Sequence, residues 1–140
     1  MIRKAKVKDI SQIYELGELV NSNFKNLFDV EKILKETYPI IYVIEKNRKI
    51  IAFLHIISLY ENVDIVNIVV DLNHRKKGNA KLLLDFMLSE IDKNVELITL
   101  EVAADNIAAI KLYENFGFKV INKRNGYYNG KDAYLMGKRL

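Results

Sequence analysis

Two β-rich runs, Val63–Asp71 and Val95–Val102, are separated by a segment in which the apolar residues change period. From Gly78 to Ile91 they recur at Leu84, Leu88 and Ile91, flanked by Leu83 and Met87, the i, i+4, i+7 spacing of one helix face. A strand, a helix and a second strand in that order form a crossover, which joins parallel neighbours in one sheet. This unit places the chain among α/β folds.

The remaining segments arrange themselves around it. Residues 2–6 read as a short strand, and Asp9 is placed to cap a helix carrying Ile10, Ile13, Leu16, Leu19 and Val20. Asp29 is placed to cap a second helix with Val30, Ile33 and Leu34, which Pro39 ends. A strand Ile40–Glu45, a turn at Asn47-Arg48 and a β-rich run Ile50–Leu59 follow. After the crossover come a helix over Asn106–Phe116 and strands over Phe118–Lys123 and Ala133–Lys138. The predicted order is β-α-α-β-β-β-α-β-α-β-β: a mixed sheet with a meander in its first half and a parallel β-α-β crossover in its middle. No linker, repeat or biased segment interrupts the 140 residues, so residues 1–140 read as one domain. Half of them are apolar, enough for a core without staples.

Composition narrows the chemistry. With no Cys there is no disulfide framework, thiolate zinc site or cysteine nucleophile. His55 and His74 leave little for a histidine-based metal site, so no metal is expected. The net charge of +4 suits anionic partners, but the basic residues are dispersed. The densest cluster, His74-Arg75-Lys76-Lys77, is too local for a nucleic-acid stripe, and no direct nucleic-acid partner is expected. Met1-Ile2-Arg3-Lys4 opens no apolar leader, and no run approaches the ~20 residues that span a bilayer. A cytoplasmic chain without a membrane partner is the expectation. The sequence carries no signal of oligomeric state.

Three segments carry candidate chemistry. At Asp71–Ala80 a strand ends, basic residues and Gly78 follow, and a helix begins. The free N–H groups of a helix start over Gly78, Asn79 and Ala80, its positive dipole end and the charges of Arg75, Lys76 and Lys77 together suit a phosphate or pyrophosphate, with Gly78 and the small Ala80 letting it approach. The loop has neither the Gly-Lys-Ser/Thr of a Walker site nor a GxGxxG. The same residues also make an ordinary solvated basic turn. At Leu100-Glu101-Val102, strand alternation puts Glu101 on one face with Leu97 and Thr99, and Ile98, Leu100 and Val102 on the other. A carboxylate near the C-terminal end of a strand is placed for general-base work or is simply solvated. In Asn106–Phe118, Ala109, Leu112 and Phe116 are spaced to face the core, and Asn106 and Tyr113 lie two turns apart on an adjacent stripe. Gly117 is the expected left-handed residue that ends this helix.

In this order the segments resemble the GNAT superfamily of N-acetyltransferases. Arg75-x-x-Gly78-x-Ala80 matches the family's (Q/R)-x-x-G-x-(G/A) loop. The stretch Leu100-Glu101-Val102 through Asn106 to Leu112-Tyr113-Glu114-x-x-Gly117-Phe118 is more specific and resembles the RimI-type branch, which acetylates protein N-terminal amines. The tail Gly126-Tyr127-Tyr128 to Asp132-Ala133-Tyr134-Leu135-Met136 is similar to that branch's ending. The likeness is close over residues 62–136 and one of pattern before them. Ala80 stands where Gly is commoner, Lys131 where an acidic residue is usual, and Asn23-Phe24 to Leu27-Phe28 where the branch often has Pro-Trp.

The resemblance implies a GNAT-type fold and acetyl-CoA as co-substrate, its pyrophosphate cradled by residues 75–80. It implies Glu101 as general base and Tyr113 as the acid that protonates the leaving sulfur. Ile68, Val69 and Val70 would run beside the acetyl and pantetheine arm, with the Val70 N–H facing the oxyanion, and Asn106 would hold the cofactor arm. Tyr127 and Tyr128 would grip the acceptor peptide, or else pack a loop over the sheet. An α-amine titrates near ~7.9 and a lysine near ~10.4, a gap worth about 3.4 kcal/mol in deprotonation. A weakly basic carboxylate is better matched to the former. The acceptor is thus expected to be a protein N-terminus, ribosomal or other. A small amine (polyamine or aminoglycoside) is the alternative, and a noncatalytic basic binding module a more distant one.

Overall fold

The computed structural model describes residues 1–128 and 130–140, with Tyr127 and Tyr128 by their backbone only. In chain order the elements are β1 (Ile2–Lys4), α1 (Ile10–Glu18), α2 (Phe24–Leu27), α3 (Val30–Lys35), β2 (Pro39–Lys46), β3 (Lys49–Leu59), β4 (Asn62–Val70), α4 (Asn79–Glu90), β5 (Leu97–Ala103), α5 (Ile107–Asn115), β6 (Lys119–Tyr128) and β7 (Lys131–Arg139). Among the described residues the strands form one seven-stranded sheet in the order β1-β2-β3-β4-β5-β7-β6. β4 and β5 are the parallel pair, in register from Asn62 opposite Leu97 to Ile65 opposite Leu100. The mixed sheet, the meander and the parallel crossover are therefore as expected from the sequence. No helix is long and apolar enough to cross a membrane among the described residues.

The chain divides into two compact units, Met1–Ser58 with Asn67–Ile91, and Leu59–Val66 with Asp92–Leu140. In the first, Ile13 and Leu16 of α1, Phe24 of α2, and Val30 and Ile33 of α3 bury themselves against Ile41, Val43, Phe53 and Val69 of the strands. Ile41, Val43 and Phe53 share this face by strand alternation in the β2–β3 register, where Val43 stands opposite Phe53. Phe24 is the hub: its ring meets Phe28 at 4.9 Å, Phe53 at 5.8 Å and Tyr14 at 6.3 Å between centroids. Opposite, Tyr42 meets Phe86 of α4 edge-on at 5.4 Å, and Leu83, Leu84 and Met87 are buried, so the crossover helix presents the face its period predicts.

The β2–β3 hairpin turns at Asn47 and Arg48, which both take the left-handed conformation (φ 52° and 64°), the geometry that matches strand twist in a two-residue turn. Asp29 caps α3 as expected, accepting from the Lys32 N–H. Asp9 stands at the N-cap position of α1 as expected, but its side chain does not cap the helix. Its buried carboxylate instead takes two bonds from Arg3, at 2.7 and 3.1 Å, and one from the Lys6 N–H. Arg3 also binds Glu45 on β2. Burial works to raise the Asp9 carboxyl, but the Arg3 and Lys6 bonds outweigh it and hold it below the usual range. Leu19 and Val20, expected on the apolar face of α1, lie beyond its end and are exposed. The four-residue α2 is too short to show a period and was not expected from the sequence.

In the second unit, β5 alternates as expected: Ile98, Leu100 and Val102 are buried and Glu101 lies on the other face. Gly117 ends α5 with φ 91°. The inward face of α5 includes the expected residues but is centred on Tyr113. Tyr113 is its buried residue, while Ala109, Leu112 and Phe116 are half-buried. β6 and β7 extend beyond their expected spans, paired from Lys119 opposite Gly137 to Tyr128 opposite Lys131.

Candidate active site

The first unit holds the basic loop. β4 ends at Val70, and the Asp71 N–H bonds back to Ile51 of β3. Successive N–H groups alternate across a strand, so the Val70 N–H lies on the edge away from β3. The Val70 carbonyl accepts from Arg75 Nε at 3.0 Å, which folds the Arg75 side chain back along the strand end. A short 3-10 turn over Leu72–His74 follows, braced by His74 Nδ1 against Asp71 Oδ2 at 2.9 Å and by Asn79 Nδ2 donating to the His74 carbonyl at 2.8 Å. The His74 bond is also the main reason the Asp71 carboxyl lies below the ordinary range.

Lys76 and Gly78 are both left-handed (φ 61° and 80°) and turn the chain into α4. Gly78 is the N-cap, and no side chain caps the helix start. A Cβ placed on Gly78 would meet nothing within 4 Å, so the space over the first turn is open. Arg75, Lys76 and Lys77 are exposed around it, with Asn79 and Ala80 half-buried beneath. Uncapped N–H groups, open space and three cations form an arrangement a diphosphate fits. Ile68 and Val70 are half-buried, whereas the Val69 side chain is in the core, so Val69 can offer a ligand only its backbone.

The same unit buries a polar group that sequence reading passed over. His55 on β3 is 4% exposed, its Nε2 has no partner among the described residues, and its ring meets that of Phe28 edge-on at 5.8 Å. Burial pushes its imidazole down to about 4, so it is neutral at pH 7.

The second unit holds the two residues expected to do acid–base work. Glu101 has 26% of its side chain exposed, and Arg124 of β6 reaches across β7 to place Nη2 at 3.4 Å from its Oε1. On the same face the Thr99 hydroxyl donates to Asp64 Oδ1 at 3.1 Å, and Asp64 stands opposite Thr99 in the parallel register. Asp64 is an exposed residue whose carboxyl is nonetheless hemmed in. Burial pushes it up, the Thr99 bond draws it partly back, and the Glu101 charge adds to the rise. The Tyr113 ring packs edge-on against Phe118 at 5.8 Å. Asn106 caps α5, its Oδ1 accepting from the Ala109 N–H at 3.2 Å, which leaves its amide NH2 as the group able to donate elsewhere. Lys131 is paired with Asp105 at 3.0 Å. The expected peptide-gripping side chains of Tyr127 and Tyr128 lie outside the described residues.

Asp64 and Arg124 are the site neighbours that sequence reading missed. Asp64 had a signal, as a polar residue in an apolar strand with the facing parity of Glu101. Arg124 had none, because its contact spans two strands.

Known proteins share this architecture. Residues 7–118 match the profile of the Acetyltransferase (GNAT) family. An N-alpha-acetyltransferase of Saccharolobus solfataricus is 33% identical over 155 aligned positions, covering 99% of this chain and 92% of that protein. The [ribosomal protein bS18]-alanine N-acetyltransferase of Escherichia coli K12 is 34% identical over 93 positions, 66% of this chain and 63% of that protein. The crystal structure of the ribosomal-protein-S18-alanine N-acetyltransferase from Escherichia coli superposes with a TM-score of 0.87 at 26% identity, covering 99% of this chain and 92% of that one.

Proposed function

The chain belongs to the GNAT acetyltransferase family and is an N-acetyltransferase, and on that premise we propose that its acceptor is the α-amine of a protein N-terminus. The observation that carries the reading is the end-to-end likeness to an N-alpha-acetyltransferase, over 99% of the chain. The ribosomal-protein-alanine relative supports the same acceptor class over a shorter span.

Acetyl-CoA supplies the acetyl group as a thioester. The residues that would hold it are the 75–80 loop, whose uncapped N–H groups and three cations suit its diphosphate, and Asn106 through its amide NH2. Glu101 takes the proton from the attacking amine, directly or through water. The Val70 N–H, on the strand edge away from β3, donates to the developing oxyanion. Tyr113 gives its phenolic proton to the leaving sulfur, and a phenol with a pKa near ~10 still carries that proton at pH 7. An α-amine needs less help to lose its proton than a lysine does, which fits a carboxylate base on a partly open strand face.

The test is steady-state acetyl transfer to a short peptide with a free N-terminus, read by mass. Glu101→Gln and Tyr113→Phe should each lower kcat by about 10²–10⁴ while acetyl-CoA binding persists. Unchanged kcat in both variants would remove these residues from the mechanism.

A further inference from the structure

On the reading that the acceptor is a protein N-terminus, we infer that His55 and Asn67 form a polar pair that binds the hydroxyl of the acceptor's first side chain, so that this protein favours peptides beginning with serine or threonine. Among the described residues, His55 Nε2 and Asn67 Nδ2 are the buried side-chain polar atoms without a hydrogen-bond partner. Buried polar atoms are nearly always paired in folded proteins, so two at once call for a partner that arrives from outside the chain. They also stand together. The Asp71 N–H donates to the Ile51 carbonyl, and counting back along the two antiparallel strands from that bond sets Val69 beside Phe53 and Asn67 beside His55. Val69 and Phe53 do share one core cluster, together with Ile41, which is opposite His55 in the β2–β3 register. Side chains that face each other across strands have Cβ atoms about 4.5–5.5 Å apart.

The pair thus lies on the sheet face that carries α1, α2 and α3. His55 is 4% exposed, and its ring meets Phe28, a half-buried residue just past the end of the four-residue α2. Phe28 extends an apolar wall from the pair to the surface. The place also suits the reaction. Asn67 directly precedes Ile68–Val70, the segment proposed to run beside the acetyl arm, so an amine attacking there presents its first side chain toward this stretch of β4. Hydrogen-bond chemistry selects the occupant. The Asn67 amide nitrogen donates, and the His55 imidazole, neutral at pH 7, offers at Nε2 either a lone pair or an N–H. A hydroxyl donates and accepts at once, so it satisfies both atoms with either tautomer. Alanine brings only a methyl, and a carboxylate only accepts. Serine and threonine are the residues that carry a hydroxyl directly on Cβ, beside the reacting amine.

The experiment is kcat/KM at saturating acetyl-CoA for peptides that differ only in their first residue, Ser against Ala and Thr against the equally shaped Val. A hydroxyl held by this pair should favour Ser over Ala, and Thr over Val, by about 5–10-fold in the wild type. In His55→Leu and in Asn67→Leu each ratio should fall below about 2-fold, through loss on the hydroxyl peptides. His55→Gln, which returns an amide near the position of Nε2, should keep most of the preference. Melting temperature and acetyl-CoA binding identify properly folded variants. A wild type with no preference for the hydroxyl peptides overturns the inference without any variant, so a variant that fails to fold does not protect it. Ratios that survive in both folded leucine variants overturn it as well, the result expected if the pair held only an internal water. If no peptide is acetylated, the inference falls together with the acceptor reading, whereas transfer to free N-termini without hydroxyl preference defeats the inference alone.

Discussion

Gly17→Ala should destabilise the protein, although it replaces the poorest ordinary helix former with the best one inside α1. On propensity alone the change would stabilise by about 0.8–1 kcal/mol. The structure reverses the sign. A Cβ on Gly17 would lie 2.3 Å from Phe24 Cδ1, 2.4 Å from Cγ and 2.6 Å from Cε1. Those atoms belong to a ring and cannot swing aside like a chain end. Phe24 is 2% exposed and hemmed in by Tyr14, Phe28 and Phe53. Relieving the clash takes more than 1 Å of ring or helix movement in a close-packed core, and overpacking of this kind costs about 1–3 kcal/mol. With a clash toward the upper end of that range and the propensity gain set against it, a net loss of about 1–2 kcal/mol is expected. For a chain of 140 residues this is a fall in Tm of about 3–7 °C. Differential scanning calorimetry of wild type, Gly17→Ala, Phe24→Leu and the double variant would measure it. The double variant should lose less than the two single losses combined, because the smaller leucine vacates part of the space the new methyl needs. A Tm that rises in Gly17→Ala, or strict additivity in the double variant, would refute the packing argument.

Stability should depend on His55 through its neutral burial. Its folded pKa, about 4, lies below the ordinary imidazole value of 6.5. Between those values the unfolded chain binds a proton that the folded chain does not, so the contribution is complete above about pH 6.5 and is lost as pH falls toward 4, some 3 kcal/mol in all. Urea unfolding at pH 7 and pH 4.5 should show about 2–2.5 kcal/mol less pH-dependent loss in His55→Leu than in wild type, and identical losses would contradict the assignment. Gly78→Ala places a methyl in open space but in a left-handed conformation (φ 80°). A stability loss of about 1 kcal/mol is expected, with acetyl-CoA binding weakened several-fold in calorimetry and kcat at saturation little changed; unaltered binding would count against this loop as the diphosphate site.

The sequence was most legible where one local rule was strong. Twelve residues of α4 carry a single clear apolar face, β5 alternates without interruption, and Asp29 and Gly117 do the local jobs their residue types favour. It was least legible where a distant partner decided. Asp9 has the look of a cap, but Arg3 and Glu45, the latter 36 positions further along the chain, draw it into an ion network. α5 is apolar nearly all round, with Ile107, Ala108, Ala109, Ile110, Leu112 and Tyr113 in nine residues, so its pattern could not choose Tyr113 as the inward side chain. The candidate site shows the same division. The basic loop, Glu101 and Tyr113 stand out as local motifs, whereas Arg124 meets Glu101 only because two intervening strand registers bring it there. The Asp64–Glu101 neighbourhood likewise depends on the β4–β5 register, which alternation alone does not set.

The most direct measurement is a mass-resolved competition for acetyl groups. A peptide with a free N-terminus and no lysine, an N-terminally blocked peptide carrying lysine, and spermidine would compete in one reaction with the protein and acetyl-CoA. Acetylation of the free α-amine, with little on lysine or spermidine, is the expected result. Transfer to spermidine or the lysine peptide with the free N-terminus untouched would contradict the proposed acceptor.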